Sequence, residues 1–118
     1  MALPARRQKA TVDTGRDRRD RCSAHLKFVR SYQCCVPGCQ GMPIEAAHVR
    51  TGTDGGTGLK PSDCWVVSLC RDHHAEQHRI GETAFEAAYS ISLKAIASEF
   101  AASSAPWKRY LAAKGARR

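Results

Sequence analysis

The sequence predicts a small α+β domain that is held together by bound metal, and three observations support this. Five of the six cysteines and four of the five histidines fall between residues 34 and 78, which is typical of metal ligation. Two short β-prone stretches, 44–50 and 62–69, flank a glycine-rich loop, and helical periodicity starts directly after the second stretch. The alanine-rich remainder carries helix-start signals, including a capping box at 83–86.

Length and composition limit the class of protein. A chain of 118 residues with 42% hydrophobic residues, many of them alanine, forms one domain with a small core, for which a metal staple is physically sensible. We find no signal peptide and no apolar run near the roughly 20 residues that cross a bilayer. We therefore expect a cytoplasmic protein without a membrane partner, in which clustered cysteines bind metal and do not form disulfides.

The positive charge lies at the two ends of the chain. The net charge is +8; residues 1–30 hold nine Lys or Arg against three Asp, and residues 100–118 hold five and no acid. The pattern predicts a disordered basic arm at 1–21, a central domain at 22–90, and C-terminal helices with a basic tail at 91–118. A polyanion such as DNA is the natural partner of these ends, although solvated tails that only aid solubility are the alternative.

The first metal site that the spacing predicts is a closed zinc tetrahedron. Cys35 and Cys39 offer two thiolates across a Pro-Gly turn, and Cys70 with His73 supplies a third sulfur and an imidazole. Cys34 competes with its neighbour for one position. Adjacent residues on an extended backbone point to opposite sides, so only one of the two faces the metal, and we choose Cys35.

A second set of ligands suits an open, catalytic cation. His74 and His78 are four residues apart and share one face of a predicted helix that Asp72 caps, with Gly81 ending it. His48 and Arg50 share one face of the first predicted strand, so that both side chains face the same phosphate. The glycine-rich loop lacks the spacing of a phosphate-binding P-loop, and HAEQH lacks the glutamate position of zinc proteases.

Together these motifs resemble an HNH endonuclease. They occur in the order Cys-x3-Cys, Ala-Ala-His-Val-Arg, a glycine loop with Lys-Pro-Ser-Asp, and Leu-Cys-x2-His-His-x3-His. The combination is similar to small phage and prophage HNH nucleases related to the recombination-enhancement nuclease of a temperate phage. The resemblance covers residues 26–85, and it implies a ββα-metal finger with a structural zinc knuckle, flanked by α-helices.

The resemblance implies a role for each matched residue. His48 corresponds to the general base, His74 and His78 to the histidines that bind the catalytic cation, and the Cys35 set to the zinc knuckle. Two positions depart from the pattern: Ala47 stands where many relatives have a metal ligand, and the middle Asn is absent. Counting from His48 places Asp63 near the missing Asn, so we assign Asp63 to the catalytic cation.

The predicted function is metal-dependent hydrolysis of DNA phosphodiester bonds, an activity that we assign to the domain at 22–90. The cofactors are structural Zn²⁺ and a catalytic Mg²⁺ or another divalent cation. Contacts to the DNA backbone are assigned to Arg50, Lys60 and Arg79. No residue is expected to read bases, and a recombinase filament is implied as a partner only by the resemblance. The alternative is a zinc-stabilised module that binds nucleic acid without cutting it.

Overall fold

A computed structural model describes residues 19–55 and 59–116. Within these ranges the chain forms a two-stranded sheet and five helices, which confirms the predicted small α+β class. The elements are α1 (Ser23–Arg30), β1 (Ile44–His48), β2 (Val66–Cys70), α2 (Arg71–Ile80), α3 (Glu82–Tyr89), α4 (Leu93–Ser103) and α5 (Ala105–Ala116). None of the described helices is long and apolar enough to span a membrane.

The two strands form an antiparallel hairpin with the long glycine-rich loop at its tip. Ile44 pairs with Cys70 at one end of the ladder, and His48 pairs with Val66 at the other. Since α2 begins directly after Cys70 and contacts both strands, the helix lies across the hairpin. This arrangement places the start of α2 next to the cysteines and its later turns next to β1.

One hydrophobic core joins the hairpin to the C-terminal helices. Ala47, Val67 and Leu69 from the strands are buried against Phe85 of α3 and Leu93 of α4, and none of them is exposed to solvent. Burial of these apolar side chains is the main stabilising term for so small a sheet. The core therefore includes residues on both sides of the predicted boundary at residue 90, because α4 packs on β2.

Residues 19–22 lie against the second half of the long loop. The Arg21 guanidinium donates hydrogen bonds to the carbonyl oxygens of Pro61 (2.6 Å) and Lys60 (3.1 Å), and the Asp63 N–H donates to the carbonyl oxygen of Asp20 (2.9 Å). The predicted basic arm at 1–21 falls outside the described residues as far as residue 18. Its last three residues, 19–21, form hydrogen bonds with the long loop.

Two predicted helix starts differ from the structure. Helix α2 starts after Cys70, whose sulfur accepts from the His73 N–H, and Asp72 lies within its first turn. The predicted capping box at 83–86 is wrong, because α3 begins at Glu82 directly after Gly81. The Glu86 carboxylate instead accepts the Leu93 N–H at the start of α4 (2.7 Å).

Candidate active site and metal centre

Three sulfurs and one imidazole converge where the turn at residues 34–41, which we call the knuckle turn, meets the start of α2. The Nδ1 atom of His73 lies 3.3–3.4 Å from the sulfurs of Cys34, Cys39 and Cys70. The Cys39 and Cys70 sulfurs are 3.9 Å apart. All four ligand atoms lie within 4.8 Å of one another, so this group can hold one metal ion.

The structure places Cys34 in this cluster and not Cys35, which corrects the choice made from the sequence. The Cys35 N–H donates to the carbonyl oxygen of Ser68 on β2 (2.8 Å), and its side chain packs against the hydrophobic core. Cys34 is buried beside His73. Opposite orientation of the two neighbours was expected from the sequence, but the pairing with β2 that decides between them was not visible there.

Backbone N–H groups support two of the sulfurs. The Gly41 N–H donates to the Cys39 sulfur (3.3 Å), and the His73 N–H donates to the Cys70 sulfur (3.5 Å). A Cβ atom at position 41 would lie only 3.0 Å from the Cys70 sulfur and 3.1 Å from its Cβ. Glycine at position 41 therefore lets the backbone approach the ligands closely enough to donate a hydrogen bond.

The local environment changes the acidity of two of the cluster's thiols, Cys34 and Cys39, in opposite directions. Burial raises the pKa of the Cys34 thiol to about 11, and neighbouring groups modify this effect. The N–H of Gly41 lowers the pKa of the Cys39 thiol. Since a thiolate is the form that binds metal, loading this cluster must release protons, and metal affinity is expected to fall as the pH falls.

On the other side of α2, a cavity of about 220 Å³ is lined by most of the residues that the sequence assigned to the catalytic cation site. Apart from one alanine, its lining consists of imidazoles and cationic side chains from β1, the long loop and α2: Ala46, His48, Arg50, Lys60, His74 and His78. Ala46, His48 and Arg50 line it together, as the alternation of strand residues predicts. The helix thus contributes His73 to the cysteine cluster and its neighbour His74 to this cavity.

His74 and His78 face each other through their Nε2 atoms, which are 3.2 Å apart. The other nitrogen of His74, Nδ1, lies 2.7 Å from the Glu45 carboxylate on β1. An ionised carboxylate can accept hydrogen bonds but cannot donate them. Glu45 therefore favours the tautomer of His74 that carries its proton on Nδ1 and a lone pair on Nε2. Glu45 was not predicted from the sequence; its signal would have been an acidic residue three positions before His48.

His48 forms a pair with Asp63 at the far end of the hairpin. The Nε2 atom of His48 lies 2.9 Å from Oδ1 of Asp63, which is only 3% exposed. Oδ2 of the same carboxylate accepts the N–H of Cys22 (2.7 Å), and the Arg21 guanidinium lies 3.7 Å from Oδ1. Both oxygens are therefore engaged by protein groups, and Asp63 orients His48.

This geometry corrects the assignment of Asp63 to the catalytic cation. In the described parts of the chain, the ligand atoms of Asp63, His74 and His78 do not form a group within 4.8 Å as those of the cysteine cluster do. The reason is that Cys22 and His48 already occupy the buried carboxylate. Residues 20–22, which are distant in sequence, decide the role of Asp63.

The surroundings of His48 favour its neutral form over the charged imidazolium. Burial lowers the pKa of His48, and the Asp63 carboxylate offsets part of this effect. The positive charges of Lys60 and Arg21 lower the pKa of His48 further. Its imidazole is consequently neutral at pH 7, with Nε2 held by Asp63 and Nδ1 as the second ring nitrogen.

The three residues predicted to contact nucleic acid do not all lie together. Arg50 and Lys60 line the histidine cavity, and the Arg50 guanidinium also donates to the carbonyl oxygen of Leu59 (3.0 Å). Arg79 does not line this cavity; its side chain is 70% exposed and lies 3.6 Å from Glu76. The structure thus places two of the three cationic residues at the candidate site.

Comparison with known proteins identifies a family without a stated activity. The chain is 37% identical over 73 residues to "Uncharacterized protein YdfU" of Escherichia coli strain K12, a match that covers 61% of this chain and 20% of that protein. The chain thus spans about a fifth of this relative's length. No solved structure matches it significantly. Residues 9–105 match the family described as "Protein of unknown function (DUF968)", and the chain belongs to that family.

Proposed function

We propose that this protein is a metal-dependent endonuclease of the HNH type that hydrolyses phosphodiester bonds in DNA. One observation carries the proposal: a single cavity brings together His48, which Asp63 orients, and the facing pair His74 and His78. The hairpin followed by α2 is consistent with a ββα-metal finger. A module that only binds nucleic acid needs neither a histidine oriented by a carboxylate nor a facing pair of histidines beside it.

The cysteine cluster fits a structural zinc ion. Tetrahedral zinc, with Zn–S bonds of about 2.3 Å and Zn–N bonds of about 2.05 Å, separates two sulfurs by roughly 3.8 Å and a sulfur from a nitrogen by roughly 3.6 Å. The corresponding distances here are 3.9 Å and 3.3–3.4 Å. We therefore assign Zn²⁺ to Cys34, Cys39, Cys70 and His73, where it joins the knuckle turn to the start of α2.

The facing histidines fit two ligands of a second, divalent cation. Metal–nitrogen bonds of about 2.05 Å at tetrahedral or octahedral angles separate two imidazole nitrogens by roughly 2.9–3.4 Å, and the His74 and His78 nitrogens are 3.2 Å apart. Such a cation would neutralise charge on the scissile phosphate and on the departing oxygen. Two imidazoles accept Mn²⁺ or other transition metals at least as readily as Mg²⁺.

The chain's own residues divide the remaining work. His48, neutral because burial lowers its pKa, accepts a proton from the attacking water through Nδ1 while Asp63 holds Nε2. Arg50 and Lys60 bring positive charge to the same cavity, where they bind phosphate oxygens. The net charge of +8 favours a polyanionic substrate through counterion release.

A plasmid cleavage assay tests the proposal. Supercoiled plasmid and single-stranded circular DNA are incubated with Mg²⁺, Mn²⁺ or EDTA, using wild type and His48→Ala proteins of matched zinc content. We expect wild type to cut with a divalent cation, and His48→Ala to bind DNA but to cut at least about 100-fold more slowly. Equal cutting by the two proteins would remove His48 as the base. Binding without cutting under every condition would favour the binding module.

A further inference from the structure

A second cavity, of about 290 Å³, adjoins the histidine cavity. The two cavities share His48, Arg50 and His78, so they are neighbouring parts of one surface groove. The second part adds Thr51 from the long loop and Gln77, Gly81 and Glu82 from the junction of α2 and α3; we call it the Gln77 lobe. Its volume is near the lower end for small-molecule sites, about 300 Å³.

Gln77 is the unexplained residue of this lobe. It is 3% exposed, and both its amide nitrogen and its amide oxygen are buried without a hydrogen-bond partner among the described residues. A buried amide without partners destabilises a protein, and an apolar side chain of similar size would avoid this cost. In a native structure such a group calls for an explanation, for example a catalytic role or a bound water or ion.

The wall of the lobe is held in place by Glu82. Its two carboxylate oxygens accept the backbone N–H groups of Arg50 and Thr51, at 2.8 Å each. This pair of bonds fixes the start of the long loop against the start of α3. The lobe is therefore preformed next to His48, and the Glu82 carboxylate is already engaged.

We propose that the Gln77 lobe binds the nucleobase adjacent to the scissile phosphate and that the unpartnered Gln77 amide, buried at the wall of the lobe, turns toward this base and reads it. The inference rests on the proposed nuclease function and names a specificity-determining residue of the same site. A phosphodiester at His48 continues into a nucleoside on each side, and the adjoining lobe receives one of them. A glutamine amide pairs a donor with an acceptor, which matches the edge of adenine best.

Reading by Gln77 also constrains the form of the substrate. A base can enter a lobe beside the cavity only when it is unstacked from its neighbours, as in single strands, loops and flipped nucleotides. The lobe therefore favours single-stranded or locally opened DNA over an intact duplex. The sequence alone indicated no base-reading residue, because a glutamine within a helix has no distinctive signal.

Sequencing of cut sites tests the inference. Wild type, Gln77→Leu and the matched exposed-site control Gln33→Leu cleave a single-stranded oligonucleotide pool of random sequence with Mn²⁺, and the ends are sequenced. We expect wild type and Gln33→Leu to show roughly tenfold enrichment of one base, adenine, at one position beside the cut, because a bidentate contact discriminates by about that factor. Gln77→Leu should lose the enrichment. Its melting temperature should not fall, because it removes an unpaired buried amide.

The outcomes separate the two proposals. Cutting by wild type without any base preference, or a preference that a folded Gln77→Leu protein retains, would overturn the Gln77 lobe and leave the nuclease proposal intact. Failure of wild type to cut would remove the nuclease proposal and the lobe with it. If Gln77→Leu does not fold, Gln77→Met, which is closer in shape, replaces it under the same criteria.

Discussion

Two carboxylates give the histidines of the cavity different tasks. Asp63 engages Nε2 of His48, whereas Glu45 engages Nδ1 of His74. Opposite ring nitrogens are therefore left without a carboxylate partner: Nδ1 in His48 and Nε2 in His74. In the proposed mechanism His48 exchanges a proton, and His74 binds a cation together with His78.

Removing the Glu45 charge should weaken the binding of the second cation. In Glu45→Gln the His74 ring loses its carboxylate partner, and loss of such an orienting contact typically costs about 10–100-fold in metal affinity. Titration of the zinc-loaded protein with Mn²⁺ by calorimetry measures this effect. The control is Glu99→Gln, which changes a glutamate that lines a separate cavity with Tyr32 and Phe100. Equal affinity in all three proteins would contradict the role of Glu45.

The pH dependence of cleavage should reflect the lowered pKa of His48. The active form of the base is neutral, so the rate falls as the pH falls through the pKa of His48. Burial places that pKa below the usual value of about 6.5. The Lys60 charge contributes to this lowering, so Lys60→Ala should move the acid limb of the rate profile to higher pH. Lys27→Ala on α1 is the control; an identical shift in both variants would contradict this account.

The neighbouring cysteines provide a paired test of the zinc assignment. Cys34→Ser removes a ligand from the cluster, whereas Cys35→Ser changes a thiol outside it. We expect about one zinc per chain in wild type and Cys35→Ser, and a large loss of zinc with cooperative folding in Cys34→Ser. Metal analysis after dialysis and thermal unfolding measure both quantities. Retained zinc in Cys34→Ser with loss in Cys35→Ser would reverse the assignment.

At the scale of elements, one helix supplies both sites. The first turn of α2 carries His73, whose Nδ1 faces the cysteine sulfurs, and the next residue begins the pair His74 and His78. Successive residues of a helix point about 100° apart, which separates the two clusters on the surface of α2. A metal ion that fixes the start of α2 would therefore also fix the direction of the pair His74 and His78.

The knuckle turn that precedes β1 should be intolerant of a side chain at position 41. In Gly41→Ala the new Cβ would lie 3.0 Å from the Cys70 sulfur, so a ligand or the backbone must shift. We expect weaker zinc retention and a loss of stability of about 1–3 kcal/mol. Gly115→Ala is the control, because nothing lies within 4 Å of its Cβ and alanine favours the helix by about 1 kcal/mol. Thermal unfolding with zinc present distinguishes them, and equal effects would contradict the close approach.

Local sequence signals were sufficient for the hairpin and for α2 but not for the helix starts or for the choice between adjacent cysteines. Periodicity located β1 and α2, and a short apolar run predicted β2, which is buried at all five of its residues. The capping box failed because α3 already begins at Glu82 and because Glu86 accepts the N–H of Leu93 at the start of the next helix. Cys34 replaced Cys35 for the same kind of reason, since pairing with Ser68 orients both residues.

At the scale of the whole molecule, residues near both ends of the described chain support the His48 pair. Asp20, whose backbone accepts the Asp63 N–H, also accepts the Tyr110 hydroxyl (3.0 Å) and pairs with Lys114 of α5. The orientation of Asp63 thus depends on segments more than 40 residues away in sequence. No local motif indicates such a contact, and this explains why the sequence assigned Asp63 to the cation.

The most direct test of the account is DNA cleavage by zinc-loaded wild-type protein during a titration with Mn²⁺ or Mg²⁺. We predict negligible cutting with zinc alone and a rate that rises and saturates as the second cation is added. His78→Ala should require a much higher cation concentration while keeping its zinc. A rate that does not depend on added cation, or no cutting at any concentration by a protein that binds DNA, would contradict the central claim.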